Sequence, residues 1–227
     1  MSRSTSPIEF RIKAQSIGFF ETPVAICQLS EAESLLDDIE RKVRERRNND
    51  PGVTRSNVGS WHSDTNMLEW GGESAKALGE KVVSIARRMS YFKGTSPDAF
   101  NWLLQMWANI TPPGGMNDLH AHPGNLWAAV LYLDMGRSER DEPAAIDDAG
   151  GNFFLEDPRF LLNVMHNTGF RIMGAEGKPQ EIQQELRLNR GDVIIFPAWL
   201  RHGVRPYTGD RERISVAINI DAVPMPR

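Results

Sequence analysis

The spacing of hydrophobic residues changes once along the chain. Before about residue 98, apolar residues recur every three to four positions in two segments, whereas from Phe100 onward they form short runs separated by Pro, Gly, Asn and Asp. The first spacing is typical of amphipathic helices, and short apolar runs between turn residues are typical of strands. The sequence therefore predicts helices first and an all-β region after them.

Two helices are predicted in the first region. One begins after Ser30, because Ser30 and Glu33 match a capping box and apolar residues then recur at a spacing of four, namely Leu35, Ile39 and Val43. The other runs from Glu73 to about Phe92. Each helix has one apolar face, which another layer of the fold must cover. In the second helix the residues predicted to face inward are Ala77, Val82, Ile85, Ala86 and Met89.

Short strands are predicted in the second region. Their ranges are 100–110, 119–122, 126–133, 152–155, 182–188, 193–196 and 213–220. Helices followed by many turn-linked strands favour a sandwich or jelly roll with the helices on its outer face. We expect one domain over residues 1–227, in which 1–98 form a helical and loop support and 99–222 form the β core.

The last predicted strand alternates strictly between apolar and polar residues. One face carries Ile214, Val216, Ile218 and Ile220, and the other carries Arg213, Ser215, Ala217 and Asn219. A strand on the protein surface shows the same alternation. In a jelly roll, however, helices can cover the apolar face, which leaves Arg213 and Ser215 inside the mouth of the barrel. A partly buried guanidinium requires an anion, such as a small carboxylate.

Composition and charge narrow the function classes. The 227 residues include 30 acidic and 26 basic side chains, which gives a net charge of −4. This charge argues against a function in nucleic-acid binding that depends on overall positive charge. Hydrophobic residues make up 40% of the chain, which excludes disorder of the whole chain. The single cysteine, Cys27, cannot form an internal disulfide or a thiolate cluster. A metal would therefore depend on His, Asp or Glu.

Two further observations concern location and mobility. The longest apolar run, 127–133, is far shorter than the roughly 18 residues of a membrane span, and the segment 1–7 is polar. Together with the single cysteine, this favours a cytoplasmic protein without a membrane partner, and a homodimer is the commonest default assembly. Residues 136–151 are acidic and poor in apolar side chains, which predicts a mobile loop, with a lid as the alternative.

The histidines carry the candidate chemistry. Two of the five lie in Leu119-His120-Ala121-His122-Pro123, and in an extended chain both rings point to the same face. Two such imidazoles can chelate one metal, for which His202 is the best third ligand and Asp118 the nearest carboxylate. Taken alone, the pair also fits a surface or core feature. His166 has no partner at ligand spacing, and His62 could approach the site although nothing in the sequence requires it, so no metal role is assigned to either.

The order of these motifs resembles the Fe(II)- and 2-oxoglutarate-dependent oxygenases of the prolyl-hydroxylase-like group. Over residues 100–220 the chain has His120-x-His122, a strand ending in Leu-Tyr132-Leu, the segment Gly191-Asp-Val-Ile-Ile-Phe-Pro, His202-Gly-Val-Arg-Pro and Arg213-x-Ser215. A bacterial and phage subfamily is similar in three further features. These are His-x-His-Pro, Asp157-Pro158-Arg159 and the upstream Ser56-Asn57-Val58-Gly59.

The resemblance implies a fold, a reaction and a site. The fold would be a double-stranded β-helix, a cupin-like jelly roll that is mainly β with flanking helices. The enzyme would hydroxylate an unactivated C–H bond of a small-molecule or peptide substrate, with Fe(II) as metal and 2-oxoglutarate as cosubstrate. His120 and His202 would bind the iron, with His122 at the usual carboxylate position. Arg213 and Tyr132 would bind the distal carboxylate of 2-oxoglutarate, with Ser215 beside them.

One departure from the family pattern keeps alternatives open. Three neutral histidines keep the ligand number of the usual two-His, one-carboxylate site but remove one negative charge, so zinc, nickel or copper could also bind. One alternative is a cupin-type three-His dioxygenase without a keto acid, which has no need of Arg213. Another is a non-catalytic barrel that binds a metal or a small carboxylate. Four tryptophans are candidate pocket walls or ordinary core residues, namely Trp61, Trp107, Trp127 and Trp199.

Overall fold

A computed structural model describes residue 13 and residues 17–137, 149–159, 162–174 and 177–225. Most of the predicted loop 136–151 lies outside these residues. The strands are β1 (Ala25–Gln28), β2 (Asn57–Val58), β3 (Trp61–His62), β4 (Phe100–Thr111), β5 (Met116–His120), β6 (Trp127–Met135), β7 (Phe153–Glu156), β8 (Gln183–Leu186), β9 (Asp192–Pro197), β10 (His202–Val204) and β11 (Arg213–Pro224). The helices are α1 (Glu33–Asn49), α2 (Met67–Trp70), α3 (Gly72–Arg88) and α4 (Leu162–His166), with a 3-10 turn at Pro97–Ala99.

The strands of the described residues form two antiparallel sheets. The larger sheet has the order β1-β9-β6-β11-β4-β3, and the smaller has the order β2-β5-β10-β7-β8. From β4 onward the chain crosses repeatedly from one sheet to the other, and β7 and β8 alone follow each other within one sheet. This winding is the double-stranded β-helix, so the predicted fold class, mainly β with flanking helices, is confirmed.

The two faces of the larger sheet have different neighbours. Its outer face packs on α1 and α3, and the four isoleucine and valine positions of β11 lie in this core cluster together with Leu36, Ile39 and Val43 of α1. Its inner face packs on the smaller sheet, where Tyr132 and Phe196 of the larger sheet join Phe153 and Leu155 of the smaller. The predicted division of β11 into a helix-covered face and an interior face is therefore confirmed.

The predicted helix boundaries and faces need three corrections. Helix α1 has Ala32 at its N-cap and no side-chain cap, so the predicted capping box at Ser30 is wrong. Helix α3 ends at Arg88 and not near Phe92. Ala77 is exposed because the buried stripe of α3 passes through other positions, spaced by three or four along one face. That stripe consists of Ala75, Leu78, Gly79, Val82 and Ala86.

The N-terminal region contributes strands as well as helices. Strand β1 pairs with β9 and β3 pairs with β4 in the larger sheet, while β2 pairs with β5 in the smaller. These strands have two to four residues, which is too short for a period of two to be visible in the sequence. Within the described residues, no helix is long and apolar enough to cross a membrane.

Truncation of Ile220 tests the helix-covered core. Ile220 is fully buried near the end of β11, whereas Val223 on the same strand is 42% exposed. Ile220→Ala should lower the free energy of unfolding by about 2–5 kcal/mol, because it leaves a cavity in a packed core. Val223→Ala should change it by less than about 1 kcal/mol. Urea unfolding measures both, and similar losses in the two variants would contradict this packing.

Candidate active site

Pairing of β5 with β10 brings the three candidate histidines together. His202 is the direct cross-strand partner of His120. His122 follows the end of β5, and its backbone N–H donates to the carbonyl of Ala198 at 2.8 Å. One ring nitrogen from each histidine lies within 4.8 Å of the other two. The sheet thus places two segments, 80 residues apart in the chain, around a common point.

Backbone carbonyls determine which ring nitrogens carry protons. Nδ1 of His120 lies 2.6 Å from the carbonyl oxygen of Asp118, and Nδ1 of His202 lies 2.9 Å from that of Leu200. A carbonyl can only accept, so each Nδ1 donates and each Nε2 keeps its lone pair. Nε2 of His202 also lies 3.2 Å from Nε2 of His122. Ring nitrogens at that distance require a proton or a cation between them.

Burial keeps the three rings neutral. Burial, reinforced by the neighbouring histidines, lowers the pKa of His122 to about 4 and that of His202 to about 3. Burial also lowers the pKa of His120 below its ordinary value. A neutral imidazole is the form that binds metals, so the cluster is ready for a cation at neutral pH.

The donor set fits a divalent metal. Three imidazoles that each bind at about 2.1 Å have nitrogens within about 4.2 Å of one another. A small inward shift of the rings therefore completes the site. Asp118 is exposed, and only its backbone meets the cluster, through the carbonyl that accepts from His120. The cluster that the described residues form contains three histidines and no carboxylate.

An upstream loop closes over His120. Ser56 lies in it, and its hydroxyl is 3.3 Å from Nε2 of His120. The buried side chain of Asn57 fixes this loop, since its Oδ1 accepts from the backbone of Arg55 and its Nδ2 donates to the carbonyl of Ser60, both at 2.6 Å. Within the Ser-Asn-x-Gly motif, Asn57 therefore has a structural role, whereas Ser56 lines the cavity.

A second group of polar atoms in the same cavity could hold an anion. Arg213 is 5% exposed and Tyr132 is 2% exposed, and both line the cavity. Within the described part of the chain, Nε of Arg213 and the hydroxyl of Tyr132 have no hydrogen-bond partner. Ser215 lies directly across from Tyr132 in the sheet. A buried cation beside an unpaired hydroxyl donor fits a carboxylate, which accepts from both.

Tyr207 and a close glycine hold the Arg213 side chain in place. The guanidinium carbon lies 5.8 Å from the centre of the Tyr207 ring, and the Tyr207 hydroxyl donates to the carbonyl of Gly136 at 2.8 Å. Gly151 has a φ of +69°, and a Cβ there would lie 2.9 Å from Cδ2 of Tyr207 and 3.0 Å from Cδ of Arg213. Only glycine combines this backbone conformation with such a close approach.

The cavity between the sheets has an empty volume of about 590 Å³, which includes the part open to solvent. One wall is a row of residues in register across four strands, formed by Tyr132 of β6, Ser215 of β11, Asn109 of β4 and His62 of β3. All four line the cavity. His62 also stacks on Trp107, with ring centres 5.4 Å apart and planes 13° apart.

Sequence analysis missed His62 and Asn109. The alternation of Trp107, Asn109 and Thr111 along β4 is the signal that could have revealed Asn109, because these residues share the face that lines the cavity. His62 had no comparable signal, since β3 has only two residues.

Most of the other candidates lie away from the cavity. Of the four tryptophans, Trp107 lines it, Trp61 and Trp127 belong to the helix-covered core, and Trp199 is 54% exposed. His166 is exposed on α4. Arg159 pairs with Asp157 two residues earlier, so this motif forms a local turn.

Comparison with known families identifies the class of protein. The family described as "Putative 2OG-Fe(II) oxygenase" matches residues 105–219, about half of the chain. The chain therefore belongs to the 2-oxoglutarate- and Fe(II)-dependent oxygenases, which are oxidoreductases. The predicted family, enzyme class, metal and cosubstrate are confirmed, and the keto-acid-free dioxygenase and the non-catalytic barrel are set aside. No curated protein matches the chain.

Solved structures share the fold at low sequence identity. A Pseudomonas putida prolyl-4-hydroxylase is 15% identical, with a TM-score of 0.54 over 87% of this chain and 91% of that one. A Trichoplax adhaerens prolyl hydroxylase, solved with a hypoxia-inducible-factor peptide fragment, is 13% identical, with a TM-score of 0.58 over 87% and 83%. HygX from Streptomyces hygroscopicus, solved with nickel, 2-oxoglutarate and hygromycin B, is 14% identical, with a TM-score of 0.56 over 88% and 83%.

The buried histidines predict a pH dependence of stability. Their pKa values are lower in the folded than in the unfolded protein, so stability is complete above about pH 6.5 and falls toward about pH 4 as the unfolded chain takes up protons first. In chelator-treated protein, His202→Leu should make this dependence less steep, as measured by urea unfolding at several pH values. The exposed-site control His166→Leu should leave the slope unchanged. An unaltered slope in His202→Leu would contradict the burial of a neutral ring.

Proposed function

We propose that His120, His122 and His202 bind Fe(II), and that Arg213 and Tyr132 bind the distal carboxylate of 2-oxoglutarate. Ser215 lies beside that carboxylate. The observation that carries this proposal is a pair of buried polar atoms, Nε of Arg213 and the Tyr132 hydroxyl, which have no hydrogen-bond partner among the described residues and lie in the cavity that the three histidines also line. The enzyme then hydroxylates an unactivated C–H bond of its substrate.

The protein contributes orientation and shielding. When bound, iron and 2-oxoglutarate together activate dioxygen, and the keto acid is oxidatively decarboxylated to succinate and carbon dioxide. The carbonyls of Asp118 and Leu200 orient the rings of His120 and His202, so that each Nε2 points into the cavity as a lone pair. The apolar residues between the sheets limit access of water to the oxidising centre.

The neutral ligand set gives this site a distinct electrostatic character. A carboxylate ligand would cancel one of the two charges of Fe(II), whereas three neutral histidines leave both. The cavity then combines the metal charge with the buried Arg213 cation, which favours the dianion 2-oxoglutarate. The same ligand set also suits zinc, nickel and copper, so the metal found in a purified sample depends on availability.

For the substrate we propose a small molecule or a peptide. Support comes from proteins of the same fold, of which one was solved with a peptide fragment and another with hygromycin B.

We further propose that residues 1–227 act as one domain, with 1–98 as support and 99–222 as the core, because strands from both parts share each sheet. The single cysteine supports a cytoplasmic location. A homodimer remains the proposed assembly, on the frequency of twofold dimers alone.

An anaerobic titration of the Fe(II)-loaded protein with 2-oxoglutarate tests the cosubstrate site. We expect the visible charge-transfer band that chelation by a keto acid produces. Arg213→Met should keep the iron but weaken 2-oxoglutarate binding by about 10- to 100-fold, because a charge-assisted contact is lost. Arg88→Met makes the same change at an exposed position on α3 and should leave the titration unchanged. An Arg213→Met variant that binds as tightly as the parent would overturn the assignment.

Removal of single ligands tests the metal site. His202→Ala should abolish binding of Fe(II) at micromolar concentrations, because two imidazoles remain where three are needed. His166→Ala, at an exposed histidine, should bind a full equivalent, as measured by calorimetry and metal analysis. Asp118→Asn should also bind fully. Loss of the metal in Asp118→Asn would show that a carboxylate, and not His122, completes the site.

A further inference from the structure

His62 presents a hydrogen-bond acceptor in the cavity. The ring is 5% exposed, and its Nδ1 lies 2.5 Å from the carbonyl oxygen of Ser63. Since that carbonyl can only accept, Nδ1 carries the proton and Nε2 keeps a lone pair. Ser63 cannot easily move, because its N–H donates to the carbonyl of Ala108 and its hydroxyl accepts from the N–H of Ala108, both at 3.0 Å.

Asn109 presents a second acceptor next to the first. It is the cross-strand partner of His62 and is 8% exposed. Among the residues that the structure describes, its Oδ1 has no hydrogen-bond partner. Its neighbour on the other side is Ser215 of the proposed cosubstrate site. The wall therefore continues from the cosubstrate residues to two acceptors that the metal site does not use.

The cosubstrate cannot satisfy these acceptors. Ionised 2-oxoglutarate carries two carboxylates and a keto group, all of which accept hydrogen bonds and none of which donates. A buried acceptor left without a donor costs about 1–3 kcal/mol. The molecule that fills this part of the cavity is therefore favoured when it brings its own N–H or O–H group.

Trp107 connects the acceptors to the metal cluster. One face of its indole stacks on His62, and its ring centre lies 5.6 Å from that of His122. A ligand that donates to His62 consequently lies against the wall that leads to the histidine cluster. His62 and His122 therefore both neighbour the Trp107 indole in one cavity.

We infer that Nε2 of His62 and Oδ1 of Asn109 select the substrate that is oxidised alongside 2-oxoglutarate. The selected substrate carries an amide N–H or hydroxyl donor close to the carbon that the reaction oxidises. Esters, ethers and carboxylates of the same shape are disfavoured, because they present further acceptors to these two atoms. The inference rests on the proposed function, since the position of the metal defines where the oxidised carbon lies.

The test compares two molecules of the same shape in protein labelled with [15N]histidine. The protein is loaded with Zn(II), which is diamagnetic and supports no turnover, and with 2-oxoglutarate. N-methylacetamide and methyl acetate share a carbonyl and differ in N–H against ester oxygen. We expect N-methylacetamide to bind about tenfold more tightly, as one buried hydrogen bond predicts, and to shift the Nε2 resonance of His62.

Variants separate the acceptor from the shape of the wall. His62→Phe keeps an aromatic ring against Trp107 but removes the acceptor, so the preference should fall below about twofold. His62→Gln supplies another acceptor and should retain part of the preference. Asn109→Leu, which keeps the side-chain shape, provides a second test should His62→Phe fail to fold. In each variant the affinity for 2-oxoglutarate should stay within about twofold of the parent.

Several results would overturn the inference. These are equal binding of the two probes, a preference unchanged in both His62→Phe and Asn109→Leu, or an Nε2 resonance that shows a bound proton. A loss of 2-oxoglutarate affinity in His62→Phe would assign His62 to the cosubstrate site instead. Failure of the parent protein to bind Zn(II) and 2-oxoglutarate, measured before any probe is added, would overturn the proposed function itself.

Discussion

The arrangement of the interior depends on the burial of the Arg213 cation without a carboxylate partner among the described residues. Removing such a charge from water costs several kcal/mol, and a neutral environment does not offset this cost. The fold tolerates it because Arg213 lies on β11, which is paired along its whole length with β4 and over residues 213–220 with β6. The ring of Tyr207 and the close approach of Gly151 then fix the side chain. An anionic ligand is thus the natural complement of this interior.

The two faces of β11 divide stability from function. On the outer face, isoleucine and valine side chains pack beneath α1 and α3 and supply the hydrophobic stabilisation. On the inner face, Arg213 and Ser215 line the cavity, and Nε of Arg213 has no hydrogen-bond partner among the described residues. Because neighbouring side chains of a strand point to opposite faces, one short segment contributes both to the core and to the site. The free energy gained in the outer core therefore offsets the cost of burying the Arg213 charge on the inner face.

Charge and hydrogen-bonding capacity are arranged in a consistent order along the cavity wall. In the proposed arrangement the neutral histidine cluster receives the cation, and the end with Arg213 and Tyr132 offers positive charge and a donor to an anion. Next to these lie His62 and Asn109, which offer acceptors. In this proposal, metal, keto acid and substrate are distinguished by complementary chemistry and not by shape alone.

The sequence by itself determined the longer elements. These contain enough residues for the hydrophobic periodicity to be visible, and they are α1, α3, β4, β6, β9 and β11. The order of motifs also identified the family, with His120, His122, His202, Arg213, Tyr132 and Ser215 as candidates whose individual roles remain predictions. Only the tertiary structure decided that His62 and Asn109 share the cavity, that Asp118 faces solvent and that most of the candidate tryptophans are elsewhere. The physical reason is strand register. Contacts between distant strands depend on how the sheet pairs, and strands of two residues leave no pattern from which that pairing can be read.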